Sequence, residues 1–233
     1  MPQLVETVNV GRAEVNPHKP KVGVTGIGKQ PTAEPVAVRA PGPRQVGGRG
    51  SGLVGDYIGD RYHHGGDLQA VYAFQREDLD RWAGELGREL PNGSFGENLT
   101  TRGIDLDAAR VGERWLVGTG DDPATSVELE VTLPRIPCAT FAGRLGLRGW
   151  VKRFTADGRS GAYLRVVRAG TVRSGDPIRV VFSPDHDVTV GTLFRATTTR
   201  RDLLPELLAA RDYLQPETIA LAEQGRTFTL DDA

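Results

Sequence analysis

Between Val127 and Leu133, the apolar residues Val127, Leu129, Val131 and Leu133 alternate strictly with Glu128, Glu130 and Thr132, and Pro134 ends the run. A period of two puts one face of a strand against a core and the other toward polar surroundings. Proline brings no N–H to a sheet ladder and biases the preceding residue toward extended backbone. Pro134 and Pro137 therefore end the strand and stiffen the segment leading to Cys138. Shorter strand-like runs lie at Val8 to Val10, Val36 to Val38, Val71 to Phe74, Tyr163 to Val167 and Ile178 to Phe182. With 30 glycines and 15 prolines in 233 residues, turns are abundant and long helical patterns scarce, which predicts a mainly β fold. One helix is expected between Arg76 and Leu90, where Leu79, Trp82, Leu86 and Leu90 recur at helical spacing behind Glu77 and Asp78. Beyond Phe194 the pattern turns helical: Leu204, Leu207 and Leu208 share a face, and Pro216 suits the first turn of another short helix reaching Ala222. The chain divides accordingly into a β domain, 1–194, and a C-terminal helical segment, 195–233. Two stretches, Arg110 to Val117 and Arg173 to Val180, each set a Gly-acid turn before an alternating strand, as paired elements of one barrel would.

Charge excludes some partners. Lys and Arg total 29 against 30 acids, leaving no global field for nucleic acid or an anionic membrane. No apolar run approaches the ~20 residues needed to cross a bilayer, and the first residues lack a basic region followed by an apolar core, so we expect no signal peptide and a cytoplasmic location. Cys138 is the one cysteine, which excludes an internal disulfide, a cysteine-ligated iron–sulfur cluster and a multi-cysteine zinc site. Arg135, three residues upstream, would favour its thiolate, the form that attacks sulfur or binds a soft metal; equally, a free cysteine packs as a small hydrophobe.

Other candidates are open in the same way. The turn Thr25-Gly26-Ile27-Gly28-Lys29 presents a lysine either to an anion or to water. Arg39, Arg44 and Arg49 lie on a Gly- and Pro-rich loop that is either solvated or an anion clamp. Of the adjacent His63 and His64, at most one faces a given site, while Gly65 and Gly66 let backbone approach closely. Glu97 and Asn98, after Phe95-Gly96, either line a site or serve a local turn. Arg144 to Gly161, with Arg148, Trp150, Lys152 and Phe154, reads either as a glycine-hinged basic loop for an anionic ligand with a flat ring or as a loop kept soluble by its arginines.

In order, Thr25-Gly26-Ile27-Gly28-Lys29, His64-Gly65-Gly66 with Ala70-Val71, Gly93-Ser94-Phe95-Gly96-Glu97-Asn98-Leu99-Thr100, Pro134-Arg135-Ile136-Pro137-Cys138, Gly161-Ala162-Tyr163-Leu164-Arg165-Val166 and Gly175-Asp176 resemble the MOSC family. These are domains related to the C-terminal part of molybdenum-cofactor sulfurases, and the tail resembles the three-helix appendage of the YiiM-like branch, here shorter. The resemblance covers residues 8 to 222. It implies a closed, mostly antiparallel β-barrel with helical insertions and a short C-terminal helical appendage. It also implies the molybdenum cofactor (molybdopterin), with Cys138 as metal ligand and catalytic residue. Cofactor contacts are expected from Lys29, His64, Gly65, Gly66, Phe95, Gly96, Glu97, Asn98, Arg135, Arg148 and Arg165. The implied activity is two-electron reduction of N-hydroxylated compounds, including N-hydroxylated nucleobases. Without a cluster of its own, the chain would need an external electron-donor protein. Two other readings stand beside this one: a sulfur-carrier or cofactor-handling protein with a persulfide on Cys138, and a binding module without chemistry. A homodimer is a further expectation. The Arg-rich stretch between Pro31 and Gly55 is longer than the branch leads us to expect.

Overall fold

The alternating run around Leu129 becomes the longest strand, Ser126–Pro134, in a computed structural model that describes residues 2–44 and 50–230. In chain order the strands are β1 (Leu4–Val10), β2 (Glu14–Val15), β3 (Val24–Thr25), β4 (Gln30–Thr32), β5 (Val36–Val38), β6 (Val71–Gln75), β7 (Leu99–Arg102), β8 (Arg114–Gly118), β9 (Ser126–Pro134), β10 (Ala162–Arg168), β11 (Gly170–Val172) and β12 (Ile178–Phe182). Eight of them form one sheet in the order β12-β8-β9-β10-β6-β7-β1-β4; β11 pairs with β5 and β2 with β3 in two small ribbons. The two similar Gly-acid stretches do lead into neighbours, since β8 and β12 pair antiparallel with Val117 opposite Ile178.

The strands are mostly antiparallel as expected, and the expected closure of the barrel is corrected. The sheet is mixed, because β6 and β7 run parallel. Parallel neighbours need a crossover, and helix α1 (Arg76–Leu86) supplies it. The sheet also has two ends: β1 reaches the segment before β12 only through an isolated Leu4–Pro177 bridge and flanking backbone hydrogen bonds such as Val5 N–H to Asp176 O (2.9 Å). Alternation along the strands packs Val5, Val8, Val71, Trp115, Leu129, Val131 and Leu164 into one core.

A second correction concerns residues 144–161, which are not a hinged loop. They lie in and beside helices α2 (Ala139–Leu145) and α3 (Trp150–Asp157). Trp150, Val151 and Phe154 fall on one helical face and are buried with Phe141, Phe95, Phe74 and Trp82, so the aromatic rings make a core and not a ligand platform. Gly146 and Gly158 are left-handed C-caps, a conformation that glycine alone adopts at little cost, so they end helices.

The tail holds three helical pieces, more than expected: α4 (Val190–Thr198), a 3-10 segment at Arg201–Tyr213, and α5 (Pro216–Gln224), with Pro216 in its first turn. A break between residues 194 and 195 would fall inside α4, whose Leu193 and Ala196 pack with Leu204, Leu207 and Ala210. The appendage is pressed against the sheet at Gly112. Its φ is +91°, and an added Cβ would stand 2.2 Å from the Tyr213 ring. Gly112→Ala is therefore expected to cost about 1–3 kcal/mol, read as a lower urea midpoint. A midpoint within experimental scatter of the wild type would show that the appendage is not tightly docked there. No helix among the described residues is long and apolar enough to cross a membrane.

Candidate functional site

Cys138 sits just past the end of β9, at the N-cap of α2. The extended Pro-Arg-Ile-Pro segment carries Arg135 inward, where it is 7% exposed. Its guanidinium lies over the rings of Phe141 (4.2 Å) and Tyr72 (5.0 Å) and donates to the Phe95 carbonyl. The groups whose negative charge acts on it are Tyr72, Tyr163 and Cys138. Burial raises the pKa of both tyrosines, so at neutral pH they carry no charge. That leaves the Cys138 thiolate as the anion that matches this buried cation.

The thiol responds accordingly. Burial by itself would raise its pKa, but a hydrogen bond with His64 and the charge of Arg135, with smaller help from His64 charge and the Phe141 amide, lower it from 9.0 to about 7. Alkylation of Cys138 is therefore expected to follow a titration with its midpoint about 7. His64→Ala should move that midpoint upward, and an unmoved midpoint would refute the pairing. His63 is exposed and bonds Asp60 through Nδ1 (2.9 Å), yet with His64 it lines the larger of the two cavities at the thiol, against the expectation that at most one of the pair would face a given site.

Two cavities meet at the thiol. The smaller, about 100 Å³, is lined by Thr25, Gly26, Ile27, Lys29, His64, Gly65, Tyr72, Gly96, Asn98, Arg135 and Cys138, among others. The larger, about 300 Å³, shares Lys19, His64, Gln69, Cys138 and Tyr163 with it and continues past Ile136 and Pro137 to Leu193, Gln215, Thr218 and Phe228. The smaller cavity's wall is set by close backbone packing: a Cβ on Gly26 would lie 2.0 Å from the Tyr57 carbonyl oxygen. Behind that wall lies Asp56. Its fully buried carboxylate accepts from Lys29 Nζ (2.5 and 2.7 Å), Ser51 Oγ (2.6 Å), Gly11 N (2.7 Å) and Asn98 Nδ2 (2.9 Å).

The sequence-predicted residues thus divide. Cys138, His64, Gly65, Lys29, Gly96, Asn98 and Arg135 converge on the smaller cavity. Lys29 does so with its charge already matched by Asp56. Gly66 does not line either cavity; its φ of +80° and close approach to Arg44 backbone shape the loop behind. Phe95 is wholly buried in the aromatic core. Glu97 is also buried, its carboxylate accepting from Gly93 N (2.6 Å), Phe95 N (2.9 Å) and Thr100 Oγ1 (2.9 Å) to fix the turn. Arg148 is exposed and away from both cavities, and Arg165 points outward to Glu130 (2.8 Å). Both were expected at the site because they follow the cysteine or sit in a family motif, yet the turn between α2 and α3 and the outward face of β10 carry them elsewhere. Of the arginine loop, Arg39 is exposed, Arg44 reaches the larger cavity, and Arg49 lies outside the described residues. Sequence reasoning missed Asp56, Lys19 and Tyr72 as site residues, and it held Tyr163 only as part of the Gly161–Val166 motif; the Gly-Asp pair at Gly55-Asp56 offered a local signal for the first.

The MOSC domain pattern matches residues 60–179, just over half of the chain. The chain belongs to the MOSC family. Among relatives of this MOSC protein, YflK of Bacillus subtilis is 27% identical over 186 residues, 80% of this chain and 76% of that one. A protein named "Reductase" from Gibberella moniliformis is 30% identical over 192 residues, covering 78% of this chain but 33% of its own length. The crystal structure of YiiM from Geobacillus stearothermophilus has the same fold, with a TM-score of 0.74 at 24% identity over 96% of this chain and 99% of that one.

Whether the site suits the family's metal group can be asked of its donors. Among the described residues no three His, Cys, Asp or Glu side chains are arranged to hold a metal ion. Cys138 would offer such a group one soft thiolate donor, at the point where two cavities meet. On that count the residues fit.

Proposed function

We propose that this MOSC domain binds the molybdenum cofactor beside Cys138 and reduces N-hydroxylated compounds with electrons from an external donor. The observation that carries this reading is the Cys138 thiol. It is lowered to about 7 beside a buried arginine that has no carboxylate partner among the described residues, at the point where two cavities meet. A neutral-pH thiolate of that kind is a ready ligand for a soft metal. When bound, the cofactor would supply the two-electron redox chemistry. The reaction breaks one N–O bond: the substrate takes two electrons and two protons, leaving N–H and water. Around it, Arg135 holds the thiolate charge, and His64, within hydrogen-bonding reach of the sulfur, is placed to hold or pass a proton. Tyr72, which is buried, and the half-buried Tyr163 line the site and give it apolar walls. Lys29 is buried against Asp56, so anchoring of a phosphate would fall to the more exposed Lys19 and Arg44, which would give up their part-exposed ion pairs with Asp60 and Glu217 for it.

The relative named a reductase supports the direction of the chemistry, although the matching region is a third of that protein. These 233 residues hold one cysteine and so no cysteine-ligated cluster, which favours an electron donor outside them. The test is reduction of N-hydroxylated adenine by protein made in a host that synthesises the cofactor, with a chemically reduced dye as electron source. Turnover that tracks molybdenum content is the expected result, and metal-loaded protein with no turnover on N-hydroxylated substrates would overturn the reading. The same low-pKa thiol also suits a persulfide carrier. That second reading would be favoured by a reductant-labile extra sulfur in the intact mass, with no molybdenum.

A further inference from the structure

One wall of the smaller cavity is a single stretch, residues 14–25, which runs out along β2, turns, and returns along β3. Asn16, Lys19, Val22, Val24 and Thr25 of this ribbon line the cavity together with Cys138. Internally the ribbon is well tied. Val15 pairs with Val24, Asn16 N–H donates to the Gly23 carbonyl (3.0 Å) and Val22 N–H to the Lys19 carbonyl (2.9 Å). Its feet are pressed against main chain: a Cβ on Gly11 would stand 2.2 Å from the Gly26 carbonyl oxygen, and one on Gly59 1.9 Å from that of Val24.

The far end is held differently. From Glu14 to Thr25 no backbone-to-backbone hydrogen bond joins the ribbon to another segment among the described residues. Side chains fasten it instead. Buried Asn16 donates through Nδ2 to Thr140 Oγ1 (3.1 Å) while its Oδ1 accepts from His18 N (3.2 Å), Lys19 reaches Asp60 (3.1 Å), and Glu14 lies 3.9 Å from Arg144. His18 rests on α2 at Gly143, where a Cβ would stand 2.1 Å from its ring, so the ribbon seats there because residue 143 has no side chain. Thr140 and Gly143 both belong to the helix that starts at Cys138.

A cavity of about 100 Å³ holds a few waters, well below the roughly 300 Å³ at which small-molecule pockets begin. Any ligand-sized group that meets the thiol from this side must displace a wall. The ribbon, rigid in itself and fastened at its tip by side chains alone, is the wall built to move. We propose that residues 14–25 form a hinged cover over Cys138, pivoting on its packed feet and latched on α2 by His18 at Gly143 and by Asn16 at Thr140. The cover serves whichever group the thiol carries, so the proposal does not depend on the reductase reading.

Gly143→Ala tests the latch, because the added methyl meets His18 while alanine favours the helix it sits in. Two rates are read on the full chain. One is tryptic cleavage after Lys21, the exposed lysine of the ribbon turn; Lys19 precedes Pro20 and resists trypsin. The other is labelling of Cys138 by fluorescein iodoacetamide at about pH 9, where the thiol is ionised. Each should rise about tenfold, with a urea midpoint no lower than that of the wild type. Thr140→Val, which keeps the side-chain shape and removes the partner of Asn16, should raise both about threefold. Faster cleavage without faster labelling would show that the thiol is reached through the larger cavity and that the ribbon is not its cover. Unchanged rates in both variants would leave the ribbon without a latch, and faster rates with a lowered urea midpoint in both would assign the exposure to general loosening; either result overturns the proposal.

Discussion

Cys138→Ser is expected to lower the molybdenum content of protein purified from a cofactor-competent host from near stoichiometric to background, and reductase turnover with it. Serine keeps the size of the side chain, but its hydroxyl stays protonated at neutral pH and is a hard donor. The thiolate is anionic and soft. The substitution also strips Arg135 of its matching anion, so a buried guanidinium is left with the faces of Tyr72 and Phe141 and the Phe95 carbonyl. The fold should survive, because Cys138 belongs to the rim of the aromatic core and its backbone, not its side chain, starts α2. Elemental analysis alongside circular dichroism reads both. Wild-type metal content in a folded Cys138→Ser protein would remove the thiolate ligand from the proposal.

Asp56→Ala is expected to be the most destabilising single change near the site, by about 3–5 kcal/mol. The Asp56 carboxylate receives hydrogen bonds from four separate segments, at Gly11, Lys29, Ser51 and Asn98. Deleting it leaves the Lys29 ammonium, 7% exposed, buried without a counter-charge. The urea midpoint should fall sharply. Lys29→Met in the same background should recover part of the loss, since it removes the unpaired charge while keeping the aliphatic stem. A loss below about 1 kcal/mol in the single variant, the level of an ordinary surface ion pair, would show that water reaches Lys29 and that the network does not hold the cavity wall.

Much of the architecture was legible because strand periodicity is local. The run ending at Pro134 became β9, Val36 and Val38 point the same way in β5, and the Trp82 helix formed from Arg76 but ended at Leu86, where Gly87 caps it and leaves Leu90 outside. The helices α2 and α3 were not read because they are short and are surrounded by Gly146, Arg148, Gly149, Gly158, Arg159 and Gly161, which mark loops by composition. Their pattern is completed only by Phe95 and Phe74 arriving from other segments. The same reason explains Arg148 and Arg165. Sequence neighbourhood to the cysteine, or membership in a motif, says nothing about where a turn carries a side chain or which face of a strand it leaves from.

The sequence by itself determined the β character, the single thiol at a strand end, the arginine three residues before it, and the ordered motifs that match the MOSC family. Tertiary structure decided which charges are spent. Lys29 is cancelled by Asp56, Arg135 is buried against rings with the thiolate as its anion, and His64 is turned to the sulfur while His63 goes to Asp60. It also brought residues 193–228 around to complete a cavity beside Cys138, far away along the chain. The physical reason is that strand and helix periods are set by neighbouring residues, whereas the strength of a charge depends on burial and on partners that only the folded chain brings together.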